Sequence, residues 1–385
     1  MRSVGLITTS RAEWGICAQV ARRIAGSDKL RLRLYVSGTH LLPGFGETVR
    51  NIEKEFEIRA RVRVDYRGDT PRDIAIAMGE TTTGFAELYQ RERPDILLVT
   101  GDRFEMHAAA LAAVPFNIPI AHVHGGEVTI GAFDEGLRHS LTKLSHLHFV
   151  SNEEYGRRVV QMGEEPWRVT VSGAPALDNL KHMEFASREE LQARYAFPMD
   201  RTWLLVTFHP VTLESDQALE QVRGLLGAVR AVGFPAIITA PNADTGNRGV
   251  RRSMEDFARS HPDTIFVENL GVRDYMSAMR YTSAMVGNSS SGIVEAPSFG
   301  LPVVNVGTRQ QGRVRASNVI DTGYQQAEIE AAIRKAVSPG FRASLAGLEN
   351  PNGSGNAGEK ITQRLESVPI DEKLLHKVFH DVRSA

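Results

Sequence analysis

The chain has 385 residues, of which 42% are hydrophobic and 24% are charged, and its 45 Lys and Arg residues balance 46 Asp and Glu residues. This length predicts two domains, and this composition excludes a largely disordered chain. The net charge of −1 excludes a strong field that would attract nucleic acid or an anionic membrane, and the single cysteine, Cys17, excludes a disulfide framework and a cysteine-rich zinc site.

Short β-branched runs alternate with helical stretches along the whole chain. In the first half, strands are predicted over residues 3–9, 30–37, 95–100, 118–124, 146–151 and 169–172. In the second half, strands are predicted over residues 203–208, 236–240, 264–267, 283–287 and 303–306. Helical periodicity fills most of the gaps, as in residues 73–92, 104–113 and 217–232. This alternation predicts α/β architecture with parallel sheets and right-handed crossovers.

Two doubly wound α/β domains, facing one another across a cleft, account for this order of elements. The predicted boundaries are residues 1–177 for the first domain, 178–200 for a linker region and 201–368 for the second domain. A last helix near residues 371–384, in a terminal segment 369–385, is expected to pack back on the first domain. Residues 108–121 are the longest apolar stretch and are too short and too rich in proline to span a membrane. The single cysteine fits a reducing cytosol, so a cytoplasmic protein is expected.

Polar or charged side chains follow nearly every predicted strand. In open parallel sheets, ligands bind beyond the carboxyl ends of the strands. The agreement across both halves predicts one polar site in the cleft, built by both domains. The residues that follow strands and carry polar side chains include Arg11, His40, Asp102, Arg103, Glu127, His209, Asn242 and Ser289.

The segment Asn288-Ser289-Ser290-Ser291-Gly292 is the best local motif. It follows a predicted strand and precedes a helical stretch, so that its backbone N–H groups and hydroxyls suit a phosphate. Glu295, one turn later, is placed to accept hydrogen bonds from ribose hydroxyls. A plain capping loop is the alternative. The sequence contains neither GxGxxG nor GxxxxGK[ST], which disfavours a dinucleotide site and a P-loop.

Four arginines lie in predicted loops beside strand ends and supply fixed positive charge for a diphosphate. These are Arg11, Arg103, Arg309 and Arg313. Histidines raise a different alternative, because His122 and His124 share one face of a predicted strand and lie near Asp102 and His139 in sequence. A metallohydrolase site is disfavoured by the absence of HExxH, and packing inside the fold is the expected role of His146 and His148.

Five segments stand out in the sequence: GDRFEM (101–106), HVHGGEVTIGAFDEGLRHSLTKLSHLHF (122–149), TFHPVT (207–212), GNSSSGIVEAPSFG (287–300) and GTRQQGR (307–313). Together they resemble a known family, the hydrolysing UDP-N-acetylglucosamine 2-epimerases of sialic and legionaminic acid biosynthesis. The resemblance implies the GT-B fold, with two Rossmann-like domains. It also implies release of UDP and a free sugar of the N-acetylmannosamine type, without a cofactor or a metal.

The same motifs distinguish branches of the family. Non-hydrolysing epimerases carry Gly-Asp-Thr-Thr where this chain has Gly101-Asp102-Arg103-Phe104, so the hydrolysing branch is favoured. Many sialic-acid enzymes have a carboxylate where this chain has His124. The HxHGGE form is more similar to the legionaminic-acid branch, which acts on UDP-2,4-diacetamido-2,4,6-trideoxyglucose. The resemblance leaves both that sugar nucleotide and UDP-N-acetylglucosamine as candidate substrates.

The resemblance also implies roles for the residues at the strand ends. Proton transfer is assigned to Asp102, Glu127 and Asp134, and His124 either replaces a carboxylate as acid or base or only contacts the substrate. Helix N-capping is the alternative for Asp102 and for Asp134. The side chains assigned to the UDP-sugar, of which His209 is also a catalytic candidate, are Arg11, His40, Arg103, His209, Asn242, Ser289, Ser290, Ser291, Glu295, Arg309 and Arg313.

Three other functions stay open from the sequence. A glycosyltransferase of the GT-B fold would use the same nucleotide site together with an acceptor site. A sugar-nucleotide sensor would keep Ser289–Ser291 and Glu295 but would not need Asp102 or Asp134. A metallohydrolase is the third. The expected partners are a UDP-sugar and further copies of the chain in a homodimer or homotetramer, with no nucleic acid and no membrane.

Overall fold

The structure is a computed structural model that describes residues 1–382 except 44–46, 69, 131–132, 212–213, 215 and 242–246. The chain forms two compact units. Unit 1 comprises Met1–Glu127, Phe133–Lys181 and Asn352–Ala385. Unit 2 comprises Val128–Ala132 and His182–Pro351. No helix in the described part of the chain has both the length and the apolarity that crossing a membrane requires.

Each unit contains one parallel sheet. In unit 1 the strands are β1 Arg2–Thr8, β2 Leu30–Val36, β3 Ile58–Arg61, β4 Ile96–Thr100, β5 Ile120–Val123, β6 Leu147–Val150 and β7 Val169–Val171, in the spatial order β3-β2-β1-β4-β5-β6-β7. In unit 2 they are β8 Leu204–Thr207, β9 Ala236–Thr239, β10 Thr264–Val267, β11 Ala284–Gly287, β12 Val303–Val306 and β13 Val319–Thr322, in the order β10-β9-β8-β11-β12-β13. Eleven of these strands confirm the sequence prediction to within one or two residues at each end.

Helices connect the strands of both sheets. From residue 1 to residue 200 they are α1 Arg11–Ala25, α2 Val49–Ile52, α3 Pro71–Arg91, α4 Phe104–Ala113, α5 Asp134–Leu144, α6 Glu153–Gln161, α7 Asp178–His182 and α8 Arg188–Tyr195. After residue 200 they are α9 Ala218–Val232, α10 Asn247–Ser260, α11 Gly271–Tyr281, α12 Ser291–Val294, α13 Gln326–Ala336, α14 Pro339–Ala343, α15 Ala357–Ser367 and α16 Glu372–Leu375. The predicted helices over 73–92, 104–113 and 217–232 are confirmed.

Strand β4 shows why the central strands are apolar at every position. All five of its residues are buried. Leu98 packs in a core cluster with Val20 of α1 and Ile361 of α15, whereas Leu97 packs in a second cluster with Phe85 of α3. Successive side chains of a strand point to opposite faces, so helices on both faces require apolar residues throughout.

Two of the four edge strands of these sheets, β3 and β13, were missed by the sequence prediction. Strand β3 has the sequence IRAR, and Arg59 within it donates from Nε to Glu92 Oε1 at 2.7 Å. Strand β13 contains Asp321, whose Oδ1 accepts from Asn305 Nδ2 at 2.7 Å. Charged residues on short edge strands blunt the unpaired edge of a sheet, and they also remove the apolar pattern that would identify the strand.

The C-terminal segment differs from its prediction in two ways. Residues 352–368, which were assigned to the second domain, belong to unit 1, and the helix expected near 371–384 is only Glu372–Leu375. The buried guanidinium of Arg168 donates to the carbonyl oxygens of Lys373 at 2.8 Å and Leu374 at 2.9 Å. Those carbonyls are therefore paired with a side chain rather than with the next turn of a helix.

Asp178 binds the start of α15 and so helps to hold the returning C-terminal segment on unit 1. Its carboxylate accepts from the backbone nitrogen of Ala357 at 2.9 Å and of Gly358 at 2.6 Å, at the start of α15. Asp178 is 3% exposed and lies at the start of the predicted linker, of which residues 178–181 fall in unit 1 and 182–200 in unit 2. A carboxylate at a helix N-terminus satisfies backbone donors that the helix itself leaves unpaired.

We predict that Asp178→Ala lowers the free energy of unfolding by about 1–3 kcal/mol, because two buried N–H groups lose their acceptor. The urea midpoint of the fluorescence transition measures this loss. Asp371→Ala is the matched control, since Asp371 caps the exposed start of α16 through one bond of 3.0 Å to Leu374 N. An effect of Asp178→Ala no larger than that of the control would contradict the assignment.

Candidate active site

In unit 1, the polar residues of the site follow two neighbouring strands. Strands β4 and β5 are paired in parallel with Thr100 opposite Val123, and their carboxyl ends continue into residues 101–103 and 124–127. Gly101 lies at φ 78° and donates from its backbone nitrogen to Val123 O at 3.0 Å. The two loops therefore leave the sheet side by side, as expected for the ligand-binding edge of a parallel sheet.

Arg138 of α5 joins these two loops. Its guanidinium donates from Nη2 to Asp102 Oδ2 and from Nη1 to the backbone oxygen of His124, the latter at 3.0 Å. Arg138 is only 3% exposed. Burial lowers its pKa, but nearby carboxylates more than offset that effect and raise the pKa above the ordinary value. The carboxylates that do so are Asp102, Glu127, Glu135 and Asp134.

Sequence reasoning overlooked Arg138. A signal was present, because Arg138 follows Asp134 by four residues and so lies on the same face of the predicted helix. Neither acidic residue occupies the N-cap position of its helix. Arg103, not Asp102, occupies the N-cap position of α4, and Phe133 precedes α5, so that Asp134 is its first helical residue.

His124 and Glu127 lie together at the end of β5. His124 Nδ1 is 2.6 Å from Glu127 Oε1 and 3.1 Å from Ser151 Oγ. Ser151 also donates to Glu127 Oε1 at 2.6 Å. All three residues are more than nine-tenths buried. The predicted candidates Asp102, His124 and Glu127 are thus held in one cluster with Arg138 and Ser151.

Arg103 lies beside this cluster but is engaged elsewhere. Its guanidinium donates to Glu105 through Nε at 3.1 Å and Nη2 at 2.9 Å, and Glu105 also accepts from Tyr66 Oη at 2.8 Å. Glu13, which the sequence analysis did not select, is buried near the same group and accepts from Thr9 N at 2.9 Å. Burial raises the pKa of Glu13 to about 7.

His40 and Arg11 occupy different surroundings. His40 is completely buried, with Nε2 3.0 Å from Thr8 Oγ1 and Nδ1 2.6 Å from Thr48 Oγ1. Burial lowers its pKa to about 4, so that the ring is neutral at pH 7. This geometry gives His40 a structural role at the end of β2, and its contact with a substrate stays a prediction. Arg11 is exposed at the first position of α1.

Of two further histidines of the motif, His148 lies in the core, as expected, whereas His146 is half-buried. His148 is fully buried and its Nε2 is 2.9 Å from Glu164 Oε2. His146 Nδ1 accepts from Ile120 N at 3.2 Å. Within the described ranges, no group of three or more His, Cys, Asp or Glu side chains is arranged to hold a metal ion.

In unit 2, Asn288 holds the ends of β8 and β11 together. Its Oδ1 accepts from His209 N at 2.7 Å, and its Nδ2 donates to His209 O at 2.8 Å. Its own backbone oxygen accepts from Gln310 Nε2 at 2.8 Å and from Arg309 Nη1 at 3.2 Å. The preceding Gly287 lies at φ 134°, where a Cβ would be 2.0 Å from Thr207 O, so that glycine is required there.

His209 is 6% exposed, and its pKa is lowered to about 3 by burial and by the charge of Arg309. The imidazole is therefore neutral at pH 7 and serves as a hydrogen-bonding group rather than as a cation. The adjacent Ser289, Ser290 and Ser291 are half-buried. They lead into α12, which is a single turn without a side-chain cap, and Glu295 ends that turn.

Tyr275, which the sequence analysis did not select, faces the serine loop. Its hydroxyl lies beside the hydroxyls of Thr207, Ser289 and Ser291, and burial raises its pKa. Arg313 has its own partners, since Nε donates to Val128 O at 2.9 Å and Nη2 to Thr129 Oγ1 at 3.4 Å. Both partners belong to the Val128–Ala132 segment of unit 2. Asn242 lies outside the described residues.

Two Rossmann-like units, each with one parallel sheet and helices that connect its strands, define the GT-B-like class of α/β proteins. The family model for UDP-N-acetylglucosamine 2-epimerase matches residues 22–366. The chain therefore belongs to the UDP-N-acetylglucosamine 2-epimerase family, and the resemblance found in its motifs is confirmed.

Relatives and solved structures agree with this family. The chain is 36% identical over 379 residues to the hydrolysing UDP-N,N'-diacetylbacillosamine 2-epimerase of Legionella pneumophila, covering 98% of this chain and 99% of that protein. It is 34% identical over 385 residues to the hydrolysing GDP/UDP-N,N'-diacetylbacillosamine 2-epimerase of Campylobacter jejuni, covering 99% of each. The crystal structure of UDP-GlcNAc 2-epimerase from Neisseria meningitidis bound to UDP-GlcNAc has the same fold, with a TM-score of 0.82 at 20% identity, over 95% of this chain and 99% of that chain.

We predict that Arg138 and Asp102 are strongly coupled. Arg138→Met alone should cost about 3–5 kcal/mol of folding free energy, because it leaves a carboxylate without its buried cation. Adding Asp102→Asn should recover at least about 1 kcal/mol of that loss. Urea unfolding of the four proteins of this cycle measures the coupling, and strictly additive effects would contradict the pairing.

Proposed function

We propose that the protein is a hydrolysing 2-epimerase that converts a UDP-sugar with a 2-acetamido group into UDP and the free 2-epimer of that sugar. The observation that carries this proposal is the cluster of Asp102, His124 and Glu127 around Arg138 at the adjacent ends of β4 and β5. This cluster supplies groups that accept and return protons. The 36% and 34% identical relatives with hydrolysing 2-epimerase names support the same reaction.

The chemistry of the substrate demands such a cluster. The hydrogen on C2 is not next to a carbonyl, so a side chain cannot remove it directly. When the bond from C1 to the diphosphate oxygen breaks, C1 becomes electron-deficient and the C2 hydrogen becomes acidic. Loss of that proton gives a glycal. Water then adds at C1, and a proton returned to C2 from the opposite face inverts that centre.

We assign proton transfer to unit 1 and stabilisation of the leaving diphosphate mainly to unit 2. The candidates for proton transfer are Asp102, His124, Glu127 and Asp134, and general acid–base catalysis contributes about 10²–10⁴-fold. The neutral His209 is suited to donate a hydrogen bond to an oxygen of the substrate. Loss of one electrostatic contact to a developing anion costs about 10²–10³ in rate. Side chains assigned to the nucleotide and its phosphates are Arg11, Ser289, Ser290, Ser291, Glu295, Arg309 and Arg313.

The preferred substrate in this proposal is UDP-2,4-diacetamido-2,4,6-trideoxyglucose, with UDP-N-acetylglucosamine as the alternative. The names of the relatives from Legionella pneumophila and Campylobacter jejuni support the diacetamido sugar, as does the HxHGGE motif at residues 122–127. Legionaminic acid synthesis would then use the product, whereas N-acetylmannosamine would lead to sialic acid. We further propose a cytoplasmic location, in line with the single, buried Cys17. A homo-oligomeric assembly completes the proposal.

A proton NMR time course in D₂O, without added metal, tests the function with both UDP-sugars. We expect UDP and a free manno-configured sugar that carries deuterium at C2, because the returned proton comes from solvent, and faster turnover of the diacetamido substrate. Asp102→Asn is the control variant. It should lose turnover by about 10²-fold or more while binding UDP as tightly as the wild type.

The other outcomes separate the competing functions. Release of a sugar that keeps its hydrogen and its configuration at C2 would indicate simple hydrolysis and sink the epimerase proposal. Tight UDP binding without turnover of either sugar nucleotide would favour a transferase that needs an acceptor, or a sensor.

We predict that Ser290→Ala combined with Arg309→Ala weakens UDP binding by about 10-fold or more, because hydrogen bonds to charged groups contribute about 1.5–3 kcal/mol each. Isothermal titration with UDP measures the change. Arg342→Ala, an exposed arginine on α14 of the same unit, is the control and should leave the affinity unchanged. Equal affinities in all three proteins would contradict the placement of the diphosphate.

A further inference from the structure

Three buried groups form a chain of hydrogen bonds at the end of β5. Ser151 Oγ donates to Glu127 Oε1 at 2.6 Å, and His124 Nδ1 lies 2.6 Å from the same oxygen. The exposed fractions of His124, Glu127 and Ser151 are 8%, 7% and 3%. The short distances and the burial hold the imidazole ring in one orientation.

With Glu127 ionised, this arrangement favours one tautomer of His124. An ionised carboxylate only accepts hydrogen bonds, and the hydroxyl hydrogen of Ser151 is directed to Glu127. An unprotonated Nδ1 would direct its lone pair at a lone pair of Glu127 Oε1, with the two atoms only 2.6 Å apart, which is repulsive. Nδ1 therefore carries the hydrogen, and in the neutral ring Nε2 carries the lone pair.

The Nε2 atom of His124 is buried and has no hydrogen-bond partner among the described residues. This alone does not distinguish it, because His107, His139 and His148 also leave one buried ring nitrogen unpaired. Those three lie within α4, α5 and β6, whereas His124 lies just beyond the carboxyl end of β5. At that position Arg138 donates both to the carbonyl of His124 and to the carboxylate of Asp102.

The backbone of His124 is a second, independent observation. His124 has φ 70°, in the left-handed region that a residue with a Cβ seldom occupies. Such conformations persist where the surrounding structure over-determines them, and they cluster at functional sites. Here the bond from Arg138 to the His124 carbonyl and the anchoring of the ring by Glu127 hold the strained conformation.

We propose that Nε2 of His124 is the base for the C2 proton, and that Glu127 and Ser151 are positioning residues that hold its lone pair free. This inference rests on the proposed function and deepens it. The C2 proton moves to Nε2, the C2–H electron pair becomes the C1=C2 bond, and the C1–O pair leaves on the diphosphate oxygen of UDP. The Glu127 carboxylate then stabilises the imidazolium, as the aspartate of a serine-protease triad does.

The first experiment needs no substrate. In protein labelled with ¹⁵N-histidine, the His124 resonances are identified by their loss in His124→Gly, a variant suited to the left-handed backbone. We expect a hydrogen on Nδ1 and none on Nε2. Glu127→Ala should move the hydrogen to Nε2 in a large part of the molecules, whereas Glu127→Gln, which keeps an acceptor oxygen, should retain it on Nδ1.

The second experiment measures turnover by the full chain. His124→Gly should lower kcat by about 10²–10⁴-fold, and added imidazole should restore part of the loss in this variant but not in Asp102→Asn. Glu127→Ala should lower kcat with little change in KM, Glu127→Gln should lower it less, and Ser151→Ala least. Ser145→Ala is the control, since Ser145 is equally buried in unit 1 and donates only to Leu141 O, at 2.7 Å.

The outcomes separate this inference from the proposed function. Absence of 2-epimer from the wild-type protein would overturn the function and, with it, the role of Nε2. Normal turnover by the wild type together with unchanged turnover by His124→Gly would overturn the inference alone. A wild-type spectrum with the hydrogen on Nε2 would also overturn it, because the lone pair would then face Glu127.

Discussion

The ion pair between Arg138 and Asp102 is the interaction on which the site of unit 1 depends. Burying a guanidinium is costly unless it is paired with a charge and hydrogen-bonded. Arg138 donates to the carboxylate of Asp102 in the loop after β4 and to the backbone oxygen of His124 at the end of β5. These two loops are thereby held in one relative position. The guanidinium also binds the carbonyl of His124, whose backbone has a positive φ, whereas Glu127 anchors the ring of that residue.

In unit 2, a neutral side chain rather than an ion pair holds the ends of two strands together. The side-chain amide of Asn288 accepts a hydrogen bond from the backbone nitrogen of His209 and donates one to its backbone oxygen. The backbone oxygen of Asn288 accepts from Arg309 and Gln310. In unit 1 the central cation is balanced by carboxylates, whereas the clamp of unit 2 is uncharged. The positive charge of Arg309, together with burial, lowers the pKa of His209 and keeps its ring neutral at pH 7. A loop with this charge pattern suits an anionic ligand.

In the proposed mechanism, a histidine base in place of a carboxylate base changes how charge develops during the reaction. A carboxylate base begins negative and ends neutral, whereas an imidazole begins neutral and ends positive. With an imidazole base, positive charge develops while the diphosphate leaves with negative charge. Departure of the diphosphate is then favoured electrostatically. Glu127 then serves as the counter-charge, so that the pair of His124 and Glu127 begins with the same net charge as one carboxylate.

The sequence by itself determined the alternation of strands and helices, because strands covered on both faces must be apolar, and its ordered motifs identified the family. It also placed Asp102 and His124 at strand ends. The tertiary structure alone showed the edge strands β3 and β13, the return of residues 352–385 to unit 1 and the contacts of Arg138 and Ser151. The physical reason is that hydrogen-bond partners distant in sequence leave no periodic pattern: Arg138 is 36 residues from Asp102, and Asp178 is 179 residues from Ala357.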